Sequence, residues 1–238
     1  FEVKKVFAKL QDGAVLVSYS HTHQNFEKKK GHILLVHGME GSVDSKYILR
    51  FADHALKQGF NITRMNLRGC GESLFFNPLP YHAGLWTDVL AVCREIKTEE
   101  KLFVVGFSLG GNLVLKMAGE LGEKISDFVA GIVSISGAID MTATEAWLRK
   151  NPLYQAYLLW YLLKSYKKRC SVYPGFFRGL LPRRPGTLFE FDDRVTARLH
   201  GFQGAEQYYE LAGAGPVLRD VRIPTMALYA QDDPMVPP

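Results

Sequence analysis

A chain of 238 residues, 47% hydrophobic and 22% charged, is long enough for one sizeable core and too mixed in composition for a fibrous or disordered protein. No run reaches the roughly 18 consecutive apolar residues of a membrane-spanning helix, and Cys70, Cys93 and Cys170 are too widely spaced for a disulfide framework or a zinc site, which predicts a reducing, cytoplasmic setting. The net charge of +5 is uneven, because residues 146–189 hold nine Lys or Arg and no Asp or Glu and leave −4 for the rest; this argues for one basic surface and against a nucleic-acid-coating protein.

Strand-like runs at 14–19 and 32–36, next to a polar, lysine-rich stretch with no helix, predict antiparallel strands at a sheet edge. Further apolar runs at 61–66, 102–106, 129–135 and 224–230 alternate with helix-length amphipathic stretches at 45–58, 83–97, 109–122 and 196–212. That rhythm specifies an α/β fold, a mostly parallel sheet with helices on both faces, in one domain over 1–238. Residues 145–189 interrupt it and are rich in aromatics, including Trp147, Tyr157 and Trp160, so they are expected to form a helical cap. Ala156 to Leu163 is an apolar run followed by Lys164, Lys167, Lys168 and Arg169, which suits either a packed cap helix or a lid touching anionic lipid.

The densest signal is Val104-Val-Gly-Phe-Ser-Leu-Gly-Gly-Asn112, an apolar strand running through Gly106-x-Ser108-x-Gly110 into a helical pattern. This is the sequence form of a nucleophile elbow, in which a serine hydroxyl is presented on a tight turn to a base and to backbone N–H donors. Ser108 is the expected nucleophile. The N–H of Leu109, the next residue, is the expected first oxyanion donor, and Met39 in His37-Gly38-Met39-Glu40-Gly41 is the candidate for the second. His37 is expected to brace that loop rather than act as a base.

The acid belongs on a turn after a late strand. Thr225–Ala230 followed by Gln231-Asp232-Asp233-Pro234 supplies two candidates, with Asp233 favoured over Asp232; either could instead cap a turn. An Asp in this role orients a histidine and stabilises its imidazolium. The base should follow the acid in the chain, yet all seven histidines, at 21, 23, 32, 37, 54, 82 and 200, precede Asp233. His82 and His200 are the internal substitutes; the other expectation is that a last strand and helix, with the histidine, lie beyond Pro238, as residues trimmed from the start would precede Phe1.

Together with Asn66-Leu-Arg-Gly-Cys-Gly-Glu-Ser73, Phe191-Asp-Asp-Arg-Val-Thr-Ala197 and Leu199-His-Gly-Phe202, these motifs resemble the YheT-like branch of the α/β-hydrolase superfamily. The resemblance implies an eight-stranded sheet, a helical cap and a Ser-Asp-His triad with Ser108 and Asp233 in the first two places. It implies a carboxylesterase acting on short-chain or lipid acyl esters through an acyl-enzyme, with no cofactor, a small-molecule substrate and no nucleic-acid partner. Acyl transfer on the same fold and a non-catalytic ligand-binding homologue are the alternatives. The basic cap adds an expected weak membrane-surface contact. Oligomeric state is left open.

Overall fold

The computed structural model describes residues 2–23, 30–96 and 98–237; the polar stretch at 24–29 and the expected helix end at 97 lie outside them. Its strands are β1 (Glu2–Lys9), β2 (Val15–Thr22), β3 (Gly31–Val36), β4 (Phe60–Met65), β5 (Leu102–Phe107), β6 (Gly131–Ile135) and β7 (Thr225–Leu228). The α-helices are α1 (Lys46–Lys57), α2 (Trp86–Glu95), α3 (Leu109–Leu121), α4 (Met141–Lys150), α5 (Pro152–Val172), α6 (Leu188–Phe191), α7 (Ala197–His200) and α8 (Ala205–Ala212), with a π-helical turn at Asp192–Thr196 joining α6 to α7. Among the described residues the strands form one seven-stranded sheet in the order β1-β2-β4-β3-β5-β6-β7. β1, β2 and β4 pair antiparallel, and the run from β4 to β7 is parallel.

The expectation that residues 32–36 form an antiparallel edge strand is corrected here. β3 pairs in parallel with both β4 and β5 and is buried along its whole length. The reason is topological: the chain passes through α1 and returns as β4 between β2 and β3, which turns β3 into an interior strand with both faces covered. β1 escaped sequence reading because Glu2, Lys4, Lys5 and Lys9 mask its alternation. Such charges suit an edge strand, where they oppose pairing with other chains.

Two cores sandwich the sheet. Leu34, Val36, Val104 and Ile132 pack with Val89 and Val92 of α2 and Leu113 and Met117 of α3 on one face. Ile33, Leu35, Ile62 and Val105 pack with Ile48, Ala52 and Leu56 of α1 on the other. The expected helix at 196–212 is split into α7 and α8, because Gly201 takes a left-handed φ of 75° and ends the first piece. No helix among the described residues is long and apolar enough to cross a membrane.

Four polar side chains register these layers. The buried Arg68 guanidinium donates through Nε and Nη2 to the two Asp88 carboxylate oxygens at 2.9 and 2.8 Å, tying the loop after β4 to α2. Ser73 Oγ accepts from Val17 N–H at 2.9 Å, and Asn66 Oδ1 accepts from Val43 N–H at 3.0 Å; the Arg-Gly-x-Gly-x-Ser stretch is therefore scaffold. Asn112, fully buried on α3, donates to the carbonyls of Ala83 and Ala212 at 2.9 and 3.0 Å and accepts from Ala214 N–H at 2.8 Å. Asn112→Ala strands these groups at about 1–3 kcal/mol each. Urea unfolding should accordingly show a loss above about 2 kcal/mol, and a loss below about 0.5 kcal/mol would contradict the anchoring role.

Candidate active site

Ser108 sits between β5 and α3 with φ 53° and ψ −120°, a backbone conformation that side-chain-bearing residues rarely adopt. Among the described residues only Glu40, Ser108 and Ser136 combine a side chain with positive φ, and they follow the carboxyl ends of the adjacent strands β3, β5 and β6. Strained backbone thus collects at the carboxyl ends of the strands, where ligands bind in open α/β folds. A Cβ on Gly106 would fall on the Gly110 carbonyl, and one on Gly110 would lie 2.5 Å from the Val36 oxygen, so the turn closes only with glycine at both places. Ser108 N–H donates to Ile135 O at 2.8 Å and its carbonyl accepts from Asn112 N–H at 3.1 Å, which holds the turn against β6 and α3.

Ser108, Met39 and Leu109 line one cavity of about 430 Å³. Its walls are mostly apolar, with Phe107 and Ile135 from the sheet, Met141 and Leu148 from α4 and Leu158 from α5, so these two helices cover the serine. Besides Ser108, polar side chains that border it include Tyr47, Thr144, Glu145, Asp192 and Tyr209.

The loop carrying Met39 is held through its peptide planes. His37 is fully buried; its Nδ1–H donates to Gly38 O at 2.7 Å while Nε2 accepts from Leu67 N–H at 3.0 Å. Gly41 N–H reaches the same Gly38 carbonyl at 3.1 Å, and Gly38 N–H donates to Tyr47 Oη at 2.9 Å. In a trans peptide the carbonyl and the following N–H point in opposite directions. Fixing Gly38 O therefore aims the Met39 N–H the other way. Leu109 N–H belongs to the first turn of α3, whose donors have no partner within the helix. Only neutral His37 can donate and accept in this way, and burial pushes it down to about 4, which keeps it neutral.

The other candidate residues lie elsewhere. Asp233 Oδ1 accepts from the N–H groups of Met235 and Val236 at 2.9 and 3.0 Å, and its carbonyl accepts from Trp147 Nε1 at 3.2 Å. Asp233 is half-buried and caps its own turn; Met235 and Val236, but not Asp233, border the cavity, and Asp232 is exposed. His82 and His200 pack edge to face at 4.4 Å beside Phe202 and Tyr208, away from the cavity lining. His82 Nδ1 accepts from Gly84 N–H at 3.0 Å. Burial pushes His82 to about 3 and His200 to about 4, and their place outside the cavity lining leaves them as packing groups. Among the described residues no cluster of His, Cys, Asp and Glu is placed to hold a metal ion.

Two features carry no role in the sequence reading. Asp192, quoted there only within a motif, is half-buried on the π-helical turn and borders the cavity; Thr196 Oγ1 donates to its Oδ1 at 2.6 Å and Tyr209 Oη to its Oδ2 at 2.8 Å. Burial raises its carboxyl to about 6, although both hydroxyls favour the anion. The second is a buried pair between Arg169 of α5 and Glu40, 129 residues apart, which no local pattern announces.

A profile of the alpha/beta hydrolase fold matches residues 31–238. The chain belongs to the alpha/beta hydrolase family. It is 31% identical to YheT of Escherichia coli (strain K12) over 87% of its length and 62% of that protein's, which bears out the branch expected from the motifs. It is 27% identical to a monoacylglycerol lipase of Saccharomyces cerevisiae over 89% of this chain and 50% of that one, and 29% identical to phospholipase ABHD3 of Mus musculus over 86% and 51%. The chain thus spans between half and 62% of the length of these relatives. Among solved structures, Pyrococcus furiosus esterase Pf2001 superposes with a TM-score of 0.60 at 16% identity, covering 100% of this chain and 74% of that one, a likeness of fold.

Acid should loosen this fold. The unfolded chain protonates His37, His82 and His200 near 6.5, whereas the folded chain protonates them near 4, 3 and 4, so stability drains away as pH falls through that window. Asp192 works the other way, because the folded state takes up its proton near 6 and the unfolded one only near 3.8. Asp88, also raised by burial, sides with Asp192, and His21, also lowered by burial, sides with the three histidines, which outweigh the two carboxyls. The urea midpoint should fall between pH 6.5 and pH 4.5, with a shallower fall in His200→Asn; a midpoint independent of pH would refute it.

Proposed function

We propose that this chain carries the nucleophile and oxyanion donors of a serine hydrolase that cleaves acyl esters of lipids. The observation that carries the reading is Ser108, held at positive φ on a strand-to-helix turn at the floor of an apolar cavity. Its Oγ attacks the ester carbonyl, and the Leu109 and Met39 N–H groups receive the oxyanion. The Ser108 proton passes to a histidine oriented by Asp233 and from there to the departing alkoxide, leaving an acyl-enzyme; water then attacks with the same histidine as base. Chain order on this fold puts that histidine after Asp233, and no histidine among the described residues lines the cavity. The substrate class is supported by the apolar walls, which suit an acyl chain, and by Glu145 and Asp192 at the border, which suit the hydroxyls of the alcohol portion. Relatives named for monoacylglycerol and phospholipid substrates point the same way. The cysteines Cys70, Cys93 and Cys170 are free, in keeping with a reducing, cytoplasmic setting.

Ser108→Ala in the complete gene product should lower p-nitrophenyl butyrate turnover by at least about 10³-fold, and Asp233→Asn by about 10² to 10⁴-fold. Undiminished turnover in Ser108→Ala would refute the mechanism. An intact protein whose Ser108 resists a fluorophosphonate would instead favour a non-catalytic binding role, and ester exchange in the presence of an added alcohol would favour acyl transfer.

The outer face of α5 supports a docking role on anionic lipid. Leu153, Tyr157 and Trp160 are 83%, 55% and 50% exposed, and the same face continues into Lys164, Lys167 and Lys168, with Lys164 Nζ 5.2 Å from the Trp160 ring centre. Tyr157 also borders the cavity, so the exposed row leads to the substrate site. Cosedimentation with phosphatidylglycerol vesicles should exceed that with phosphatidylcholine vesicles and fall with salt and in Trp160→Ser; equal partitioning would remove this role.

A further inference from the structure

We propose that Arg169 is a positioning residue for the oxyanion donor on Met39, acting from the covering helix α5 through Glu40, so that seating the cap and forming the oxyanion hole are one event. The proposal rests on the serine-hydrolase reading of Ser108.

Glu40 follows Met39 directly and is held at φ 54°, a strained conformation that persists only where its surroundings over-determine it. Here they do. Arg169 Nη2 donates to both carboxylate oxygens at 3.1 Å and to the Gly69 carbonyl at 3.4 Å. Tyr81 Oη accepts from Glu40 N–H at 2.9 Å and donates to Glu40 Oε1 at 3.1 Å. Main chain and side chain of one strained residue are therefore both fixed. The Arg169 and Glu40 side chains are only 5% and 3% exposed, so neither charge can turn to water if the other leaves.

The place of this pair matters more than its energy, because a buried ion pair is a weak source of stability while its rupture is costly. α5 packs through Leu159 and Leu162 into an apolar cluster with Phe191 and Val195, against which the Met39 side chain also lies. Arg169 reaches out of that cluster to the loop after β3. A second cavity of about 60 Å³ is bordered by Arg169, Glu40, Met39 and Leu109 together, so the arginine and both donor residues share one wall. Were α5 to lift, Glu40 would lose its counter-charge and the reason for its strained φ, and the Met39 peptide would relax with it. His37 holds the other end of this segment from the sheet. The Met39 peptide is thus held from the sheet through His37 and from the covering helix through Glu40.

The test uses the complete gene product with Arg169→Lys, Glu40→Gln and the double variant Glu40→Gln/Arg169→Met. The double variant leaves no stranded buried charge and is expected to fold. A lost oxyanion donor costs about 10² to 10³ in kcat, so a displaced one should lower kcat by about 10 to 100-fold, with KM within about threefold and slower fluorophosphonate labelling of Ser108. Arg169→Lys, which keeps the charge, should retain part of that rate. Wild-type kcat in the folded double variant, or a loss confined to KM or to the melting temperature, overturns the proposal. If the double variant melts below the assay temperature, Arg169→Lys decides, and an unchanged kcat there overturns it. A wild-type protein that neither turns over esters nor labels at Ser108 overturns the hydrolase reading and this proposal together; active, labelled wild type with equally active variants overturns this proposal alone.

Discussion

At Gly106 on β5 and Gly110 on α3 there is no room for a side chain. Gly106 lies against the Gly110 carbonyl, and Gly110 lies against the carbonyls of Val36 and His37 at the end of β3. Two parallel neighbours and the helix that follows one of them are therefore in backbone contact, and the spacing between the β3 loop and Ser108 is set by van der Waals radii. A Cβ on Gly38 would lie 3.1 Å from the Ser108 Cβ, which measures how close the loop with the proposed donor comes to the proposed nucleophile. Asn112 then ties this junction to the loop before α2 and to the end of α8. Precision at the serine is a property of close-packed main chain, and the strain at Ser108 is sustained by that packing.

Charge is deployed sparingly around this junction. His37, His82 and His200 are kept neutral by burial and act as hydrogen-bonding or packing groups. Arg68 and Arg169 are buried only where a carboxylate faces them, Asp88 in one case and Glu40 in the other. The cavity consequently has an apolar body with carboxyl groups at its border, where Asp192 is held by the hydroxyls of Thr196 and Tyr209. The sheet side of the site is rigid by construction, whereas the cap side is tied down through a few polar contacts, Arg169 to Glu40 and Trp147 to the Asp233 carbonyl among them.

The elements around Ser108 were legible because their determinants are contiguous. A strand, a glycine-flanked serine and a helix occupy 20 residues, from Leu102 to Leu121, and α1 to α3 fall close to their expected spans. β3 was misplaced because its role depends on β4 entering beside it, which happens 24 residues later in the chain than the end of β3. β1 was missed because an edge strand with charged residues has no hydrophobic signature; pairing with β2 makes it a strand.

The sequence by itself determined the fold class, the sharp turn at Ser108, the neighbouring Leu109 and Met39, and the basic, aromatic stretch of the cap, since each rests on residue types at short fixed separations. Only the tertiary structure decided that His82 and His200 are packing groups, that Asp192 borders the cavity, and that Arg169 meets Glu40. Those outcomes depend on burial and on contacts between segments up to 129 residues apart. A side chain's charge state and partner are set by what surrounds it in space, and chain order carries that information only after the sheet has brought the segments together.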